Sequence, residues 1–120
     1  MRKRNVVIID DDPEARRYLT DLLESNGFAV RTFENPFAAL SFSFETRPDL
    51  IILDYRLPEL DGLRLLPGLR AVTNDTPVLL LTAYGTPDLF REAQVSGVRM
   101  TMSKPVAAKD LLEAVNGVLV

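Results

Sequence analysis

Three aspartates stand side by side at Asp10-Asp11-Asp12, and Asp54 closes the apolar run Leu50-Ile51-Ile52-Leu53. Thr82 and Ala83 follow another apolar run, Val78-Leu79-Leu80-Leu81, while Lys104 follows Val98 to Ser103 and precedes Pro105. Carboxylates, a hydroxyl and an ammonium can together hold a divalent cation and a phosphoryl group against one nucleophilic oxygen. Two carboxylates about 4 Å apart repel by roughly 4 kcal/mol at an effective dielectric near 20, and a cation turns that repulsion into ligation. The 120 residues include no histidine and no cysteine. That removes the usual general base, every thiolate site and any phosphohistidine step within the chain. Hard oxygen donors are left, and they favour Mg²⁺.

Each of these residues also has an ordinary structural use. Asp12, ahead of Pro13, suits a helix cap. Thr82 could bond local backbone at a strand end, and a lysine after a strand is commonly solvated. One cap needs one side chain, so capping accounts for Asp12 and leaves Asp10, Asp11 and Asp54 unexplained.

Positioning these groups falls to short apolar runs that alternate with helical stretches. Val6 to Ile9, Phe28 to Phe33, Leu50 to Leu53, Val78 to Leu81 and Val98 to Ser103 have strand length. Phe28 to Phe33 alternates and suits a sheet edge, whereas the other four read as parallel strands covered on both faces. Glu14 to Ser25 places Ala15, Leu19, Leu22 and Leu23 on one helical stripe before the stop at Asn26-Gly27. Asn35-Pro36 opens a second helix with Phe37, Leu40 and Phe44 in phase, and Asp61 to Val72 gives a third with Leu65, Leu66 and Leu69 inward. Pro67-Gly68 predicts a kink or a frayed start there. Pro87 to Ser96 offers two inward stripes, Phe90-Ala93-Gln94-Gly97 or Leu89-Ala93-Ser96. Ala107 to Leu119 turns Ala108, Leu111, Leu112 and Val115 inward.

Five β-α units in succession predict an α/β domain over residues 1–120, a parallel sheet with helices on both faces. Ligands of such sheets bind beyond the carboxyl ends of the strands. Asp10, Asp54, Thr82 and Lys104 all stand at such ends, remote in sequence and convergent in space.

Composition narrows the classes further. With 47% hydrophobic and 26% charged residues, the chain has the make-up of a globular domain. A net charge of −3 without a basic stripe argues against direct nucleic-acid binding. Arg2-Lys3-Arg4 precedes only four apolar residues, too few for a signal core, and no stretch has the length of a membrane span. A cytoplasmic location is the expectation.

The segments VVIIDDD at 6–12, LIILDYRLPELDG at 50–62, PVLLLTA at 77–83 and SKP at 103–105 jointly resemble the CheY-like receiver domains of two-component response regulators. The likeness covers essentially the whole chain. It implies a doubly wound, flavodoxin-like sheet of five parallel strands in the order 2-1-3-4-5, which CheY itself exemplifies. It further implies that Asp54 is the phosphoacceptor. Asp10, Asp11, Asp54 and the Arg56 backbone carbonyl would hold Mg²⁺, Asp11 directly and Asp10 mostly through water. Thr82, the Ala83 amide and Lys104 would bind phosphoryl oxygens. The Lys104-Pro105 bond would be cis, and Pro58, Asp61 and Gly62 fit the family's loop. Arg56 and Tyr84 would flank the path of attacking water and tune the lifetime of the phosphorylated form.

The implied partner is a sensor histidine kinase or phosphotransfer protein, and the domain is a switch rather than a turnover enzyme. The resemblance leaves room for an output domain beyond this chain, and for a homodimer through the fourth helix, fifth strand and fifth helix. Thr82 and Thr101 occupy the switch positions. Thr101 departs from the family, which usually places an aromatic there, and so leaves the route of coupling open. Two other readings stand beside this one. A receiver-like docking domain that no longer uses phosphate is motivated by Thr101. A Mg²⁺-dependent phosphatase of the haloacid dehalogenase type would share the residue kinds, but Asp12-Pro13-Glu14 does not continue a D-x-D-x-T run.

Overall fold

A computed structural model describes residues 2–120. Strands and helices alternate strictly: β1 (Asn5–Ile9), α1 (Pro13–Glu24), β2 (Ala29–Phe33), α2 (Pro36–Thr46), β3 (Leu50–Asp54), α3 (Gly62–Thr73), β4 (Val78–Thr82), α4 (Pro87–Ser96), β5 (Met100–Ser103) and α5 (Ala108–Val118). The five strands form one parallel sheet in the order β2-β1-β3-β4-β5. This is the expected doubly wound arrangement.

Strand side chains alternate between faces, and the two faces carry separate cores. Val6, Ile8, Leu50, Ile52, Leu79 and Leu81 pack with Leu19 and Leu23 of α1 and Leu111 and Val115 of α5. Val7, Ile9, Ile51, Leu53, Val78 and Leu80 pack with Ala39 of α2, Leu65, Leu66 and Leu69 of α3 and Ala93 of α4. Unbroken apolar runs in β1, β3 and β4 are therefore the consequence of burial on both sides.

Register sets the site. Ile9 pairs with Leu53, Asp54 with Leu81, and Thr82 with Ser103. Asp10, Asp54, Thr82 and Lys104 thus stand at one edge, each at or one residue past the end of its strand.

Helix caps follow the sequence. Asp12 accepts from the Glu14 N–H at 3.0 Å, Asn35 from the Phe37 and Ala38 N–H groups, and Asp61 from the Arg64 N–H.

Several expectations need correction. β5 is an exposed edge strand with no side chain fully buried, because nothing among the described residues pairs beyond it. It starts at Met100 rather than Val98, since the Val98 N–H closes on the Ala93 carbonyl in the turn that ends α4. The inward stripe of α2 is Pro36, Ala39 and Ser43; Phe37 and Phe44 are 52% and 66% exposed. Small side chains fill the seam beneath α2, and an apolar surplus around the helix disguised its phase. α4 buries Leu89 and Ala93, the second of its two candidate stripes, and leaves Phe90 36% exposed. In α5, Ala114 and Val118 join Leu111 and Val115 in the core, while Ala108 and Leu112 are only half-buried. α3 runs unbroken from Gly62 through Pro67 to Thr73, so its start is not frayed.

Candidate functional site

Every polar atom of Asp10 is engaged. Its N–H donates to the Phe33 carbonyl at 3.0 Å, and its carbonyl accepts from Arg16 Nη1 at 2.8 Å. Oδ1 accepts from the Asp12 N–H at 2.9 Å, and Oδ2 takes Lys104 Nζ at 2.7 Å. The side chain is 2% exposed, and its carboxylate survives there because these partners replace water.

Lys104 reaches back over the sheet from just beyond β5, and a cis bond joins it to the following Pro105. Its ammonium lies 2.7 Å from Asp10 Oδ2 and 3.4 Å from Asp54 Oδ1, so one cation spans two acids from different strands. Burial lowers the lysine's affinity for its proton, but the hydrogen bond and charge of Asp10, joined by Asp54, outweigh that and hold its pKa above the ordinary 10.5.

Asp54, 7% exposed, ends the central strand. Burial, then the negative charge of Asp10, raise its pKa from 3.8 to about 6, against the opposing pull of Lys104. Near neutrality the group is an ionised, poorly solvated carboxylate, which is a good nucleophilic state. Gly62 makes room beside it, since a Cβ there would lie 2.8 Å from the Asp54 carbonyl oxygen. The Gly62 N–H donates to the Tyr55 carbonyl, which folds the β3–α3 loop back against the strand end.

Carboxylate oxygens of Asp10, Asp11 and Asp54 lie within 4.8 Å of one another. Such a donor set fits a hard divalent cation. Both Asp10 oxygens are already engaged, so Asp11, which is exposed, and Asp54 offer the freer ligand atoms.

Thr82 is fully buried, and its Oγ1 accepts from the Tyr84 N–H at 3.0 Å, the local backbone bond that a strand-end hydroxyl commonly finds. Its carbonyl accepts from the Lys104 N–H at 2.8 Å, tying β4 to the lysine's backbone. Ala83 is exposed at the start of the β4–α4 loop. Thr101 is not brought to the site. It is half-buried and pairs with Leu80, one pleat below Thr82.

Two features were not evident from residue types. Arg16 sits one helical turn beyond the capping Asp12, a spacing that could have flagged it, and it fixes the Asp10 backbone. The Arg56 guanidinium lies 4.2 Å from the centre of the Tyr84 ring, so the β3–α3 and β4–α4 loops meet across the mouth of the site. A surface cleft of about 600 Å³ between Arg4, Phe28 and Leu119 is at the opposite end of the sheet and contains none of these groups.

A doubly wound sheet bearing an acidic cluster, a spanning lysine and a buried threonine at its carboxyl edge defines a class of signalling domain. Residues 6–116 match the response regulator receiver domain, and the chain belongs to that family. It is 28% identical over 115 residues to sporulation initiation phosphotransferase F of Bacillus subtilis, covering 96% of this chain and 93% of that protein. It is 35% identical over 114 residues to the transcriptional regulatory protein PrrA of Mycobacterium leprae, covering 95% of this chain but only 49% of that one. The chain thus spans about half the length of the latter relative. Among solved structures, the chemotaxis protein CheY4 of Vibrio cholerae superposes with a TM-score of 0.91 at 27% identity, covering 98% of this chain and 100% of that one. Receiver domains of two-component systems are signalling switches that interact with histidine kinases.

Proposed function

We propose that Asp54 accepts a phosphoryl group from the phosphohistidine of a sensor histidine kinase or phosphotransfer protein. The observation that carries this reading is the single ammonium of Lys104 held between Asp10 and Asp54. The phosphorus–nitrogen bond of the donor breaks as a bond forms between phosphorus and an Asp54 carboxylate oxygen, and the departing imidazole keeps the electron pair. Lys104 balances charge on one phosphoryl oxygen; Thr82 Oγ1 and the Ala83 N–H serve others. Asp10, Asp11, Asp54 and the Arg56 carbonyl would hold Mg²⁺, which would supply further neutralisation of the phosphoryl oxygens. Water then attacks phosphorus, returning the carboxylate and inorganic phosphate. Arg56 and Tyr84 overhang that path.

Residues 1–120 act as one phosphoacceptor domain that catalyses its own loading and unloading without turning over a separate substrate. It works in the cytoplasm, passes its state to an output domain or separate partner, and takes α4, β5 and α5 as its surface for self-association. Switching begins when Thr82 exchanges its bond to the Tyr84 N–H for one to a phosphoryl oxygen.

Incubation with acetyl phosphate and Mg²⁺ is expected to add the mass of one phosphoryl group, and Asp54→Ala to abolish the gain. Labelling that survives the substitution would remove Asp54 from its role. A pure docking domain would show no change in Tyr55 fluorescence on Mg²⁺ titration, whereas the switch gives a saturable response.

A further inference from the structure

Between the site and the outer surface lies an aromatic ring that the site's chemistry does not use. Phe90, in the first turn of α4, packs its ring edge against Gly85 in the β4–α4 loop. A Cβ at Gly85 would come within 2.7 Å of Phe90 Cε1 and 2.9 Å of Ser103 Oγ. The Gly85 φ is unexceptional, so the glycine supplies space rather than backbone freedom. Ser103 is the ladder partner of Thr82, and Lys104 follows it. The ring therefore rests against the loop that begins at Thr82, at a glycine that the Ser103 hydroxyl also approaches.

Phe90 also lines a cleft of about 430 Å³ between α4 and β5, together with Val98, Met100 and Thr101 among others. Cavities of ~150 Å³ already admit benzene, so a phenyl ring has room to turn into this one. The small Thr101 side chain leaves that room open. Phe90 is 36% exposed and is held to the loop through its N–H bond to the Thr86 carbonyl at 3.0 Å.

We infer that Phe90 is the positioning residue through which the β4–α4 loop reports its state at the α4–β5 surface. Loss of the Tyr84 N–H bond to Thr82 Oγ1 releases residues 83–85. Gly85 has no slack against the ring, because close-packed contacts transmit displacement. The ring then turns towards Thr101, and the cleft wall formed by Met100 changes with it. This rests on the reading of Asp54 as phosphoacceptor.

The test incorporates 4-fluorophenylalanine into the full chain, whose six phenylalanines give six fluorine resonances; Phe90→Leu identifies the one at Phe90. Acetyl phosphate with Mg²⁺ is expected to shift that resonance and to leave the α2 resonance of Phe44 in place. Phosphoryl uptake is followed by mass in the same sample. Uptake with an unmoved Phe90 resonance overturns this inference alone, while no uptake overturns the underlying reading and this inference with it. A second measurement needs no fluorine. With methyl-labelled methionine, the Met100 signal of the unsubstituted chain shifts on phosphorylation. Phe90→Leu is expected to lose most of that shift at an unchanged rate of uptake, and Phe90→Tyr to restore it. An equal Met100 shift in all three chains also overturns the inference.

Discussion

Asp54 carries a cost in stability. The folded carboxyl keeps its proton up to about pH 6, against 3.8 for the ordinary group. Across that window the native state binds more protons than the unfolded chain, so stability falls as pH rises through it. By roughly 1.4 kcal/mol per pKa unit, the ionised group costs the native state about 3 kcal/mol near neutrality. Asp54→Asn removes the charge and keeps the shape. It is expected to raise the melting temperature by several degrees at neutral pH, with the gain fading as pH falls from about 6 towards 3.8. Thermal melts across that range check it; a variant that melts with the parent at neutral pH would show that burial of the charge is free. Lys104 acts in the opposite sense, lowering the Asp54 pKa while bridging to Asp10. Lys104→Ala leaves two acids facing each other without a cation. Labelling by acetyl phosphate is expected to slow by ~10²-fold, as for other preorganised charge-stabilising groups. The pH midpoint of the labelling rate should move upward, because the remaining carboxyl is harder to ionise. A rate profile with an unmoved midpoint would assign Lys104 to structure alone.

The elements were legible where a residue's type left one physical solution. Unbroken β-branched and leucine runs in β1, β3 and β4 could only be strands buried on both faces, and the caps Asp12, Asn35 and Asp61 announced their helices. The convergence of Asp10, Asp54 and Lys104 followed from strand ends alone. Legibility failed in α2, whose nearly continuous apolar sequence permits more than one inward stripe, and in β5, whose apolar content hides an edge position. The contacts of Arg16, Phe90 and the Arg56–Tyr84 pair depend on where side chains turn, which spacing does not specify. Pro67 is instructive in a different way. It sits exposed in mid-helix, where it lacks the N–H that would bond the Leu63 carbonyl, yet α3 persists because Leu65, Leu66 and Leu69 anchor the helix in the core. Pro67→Ala is expected to stabilise the fold by about 1–3 kcal/mol. The gain is reduced by ~0.4–1 kcal/mol because the unfolded chain also gains freedom. Urea denaturation measures the difference; a destabilised variant would mean that the ring makes a contact worth more than the missing bond.

At the scale of the whole molecule, the site exists only while four strands remain in register. Asp10 follows β1, Asp54 ends β3, Thr82 ends β4 and Lys104 follows β5, with sequence gaps that no local segment could close. A ligand of that edge therefore binds the native state and not the unfolded chain, and its binding free energy becomes folding free energy. Cation binding by Asp10, Asp11 and Asp54 would have a second effect in the same direction, since a positive charge there offsets the burial and the Asp10 repulsion that raise the Asp54 pKa. Mg²⁺ is thus expected to raise the melting temperature of the intact chain, approaching about 2.7 kcal/mol of stabilisation when its concentration is ~100 times Kd. Asp11→Asn should blunt the response without disturbing the fold, because the Asp11 side chain is exposed. Asp54→Asn should melt higher than the parent without metal and gain less from its addition, so the two curves converge as Mg²⁺ rises. Potassium chloride at matched ionic strength separates site binding from screening. Equal upward shifts in the parent and in both variants would place the stabilisation elsewhere on the surface and deny the carboxylate edge its cation.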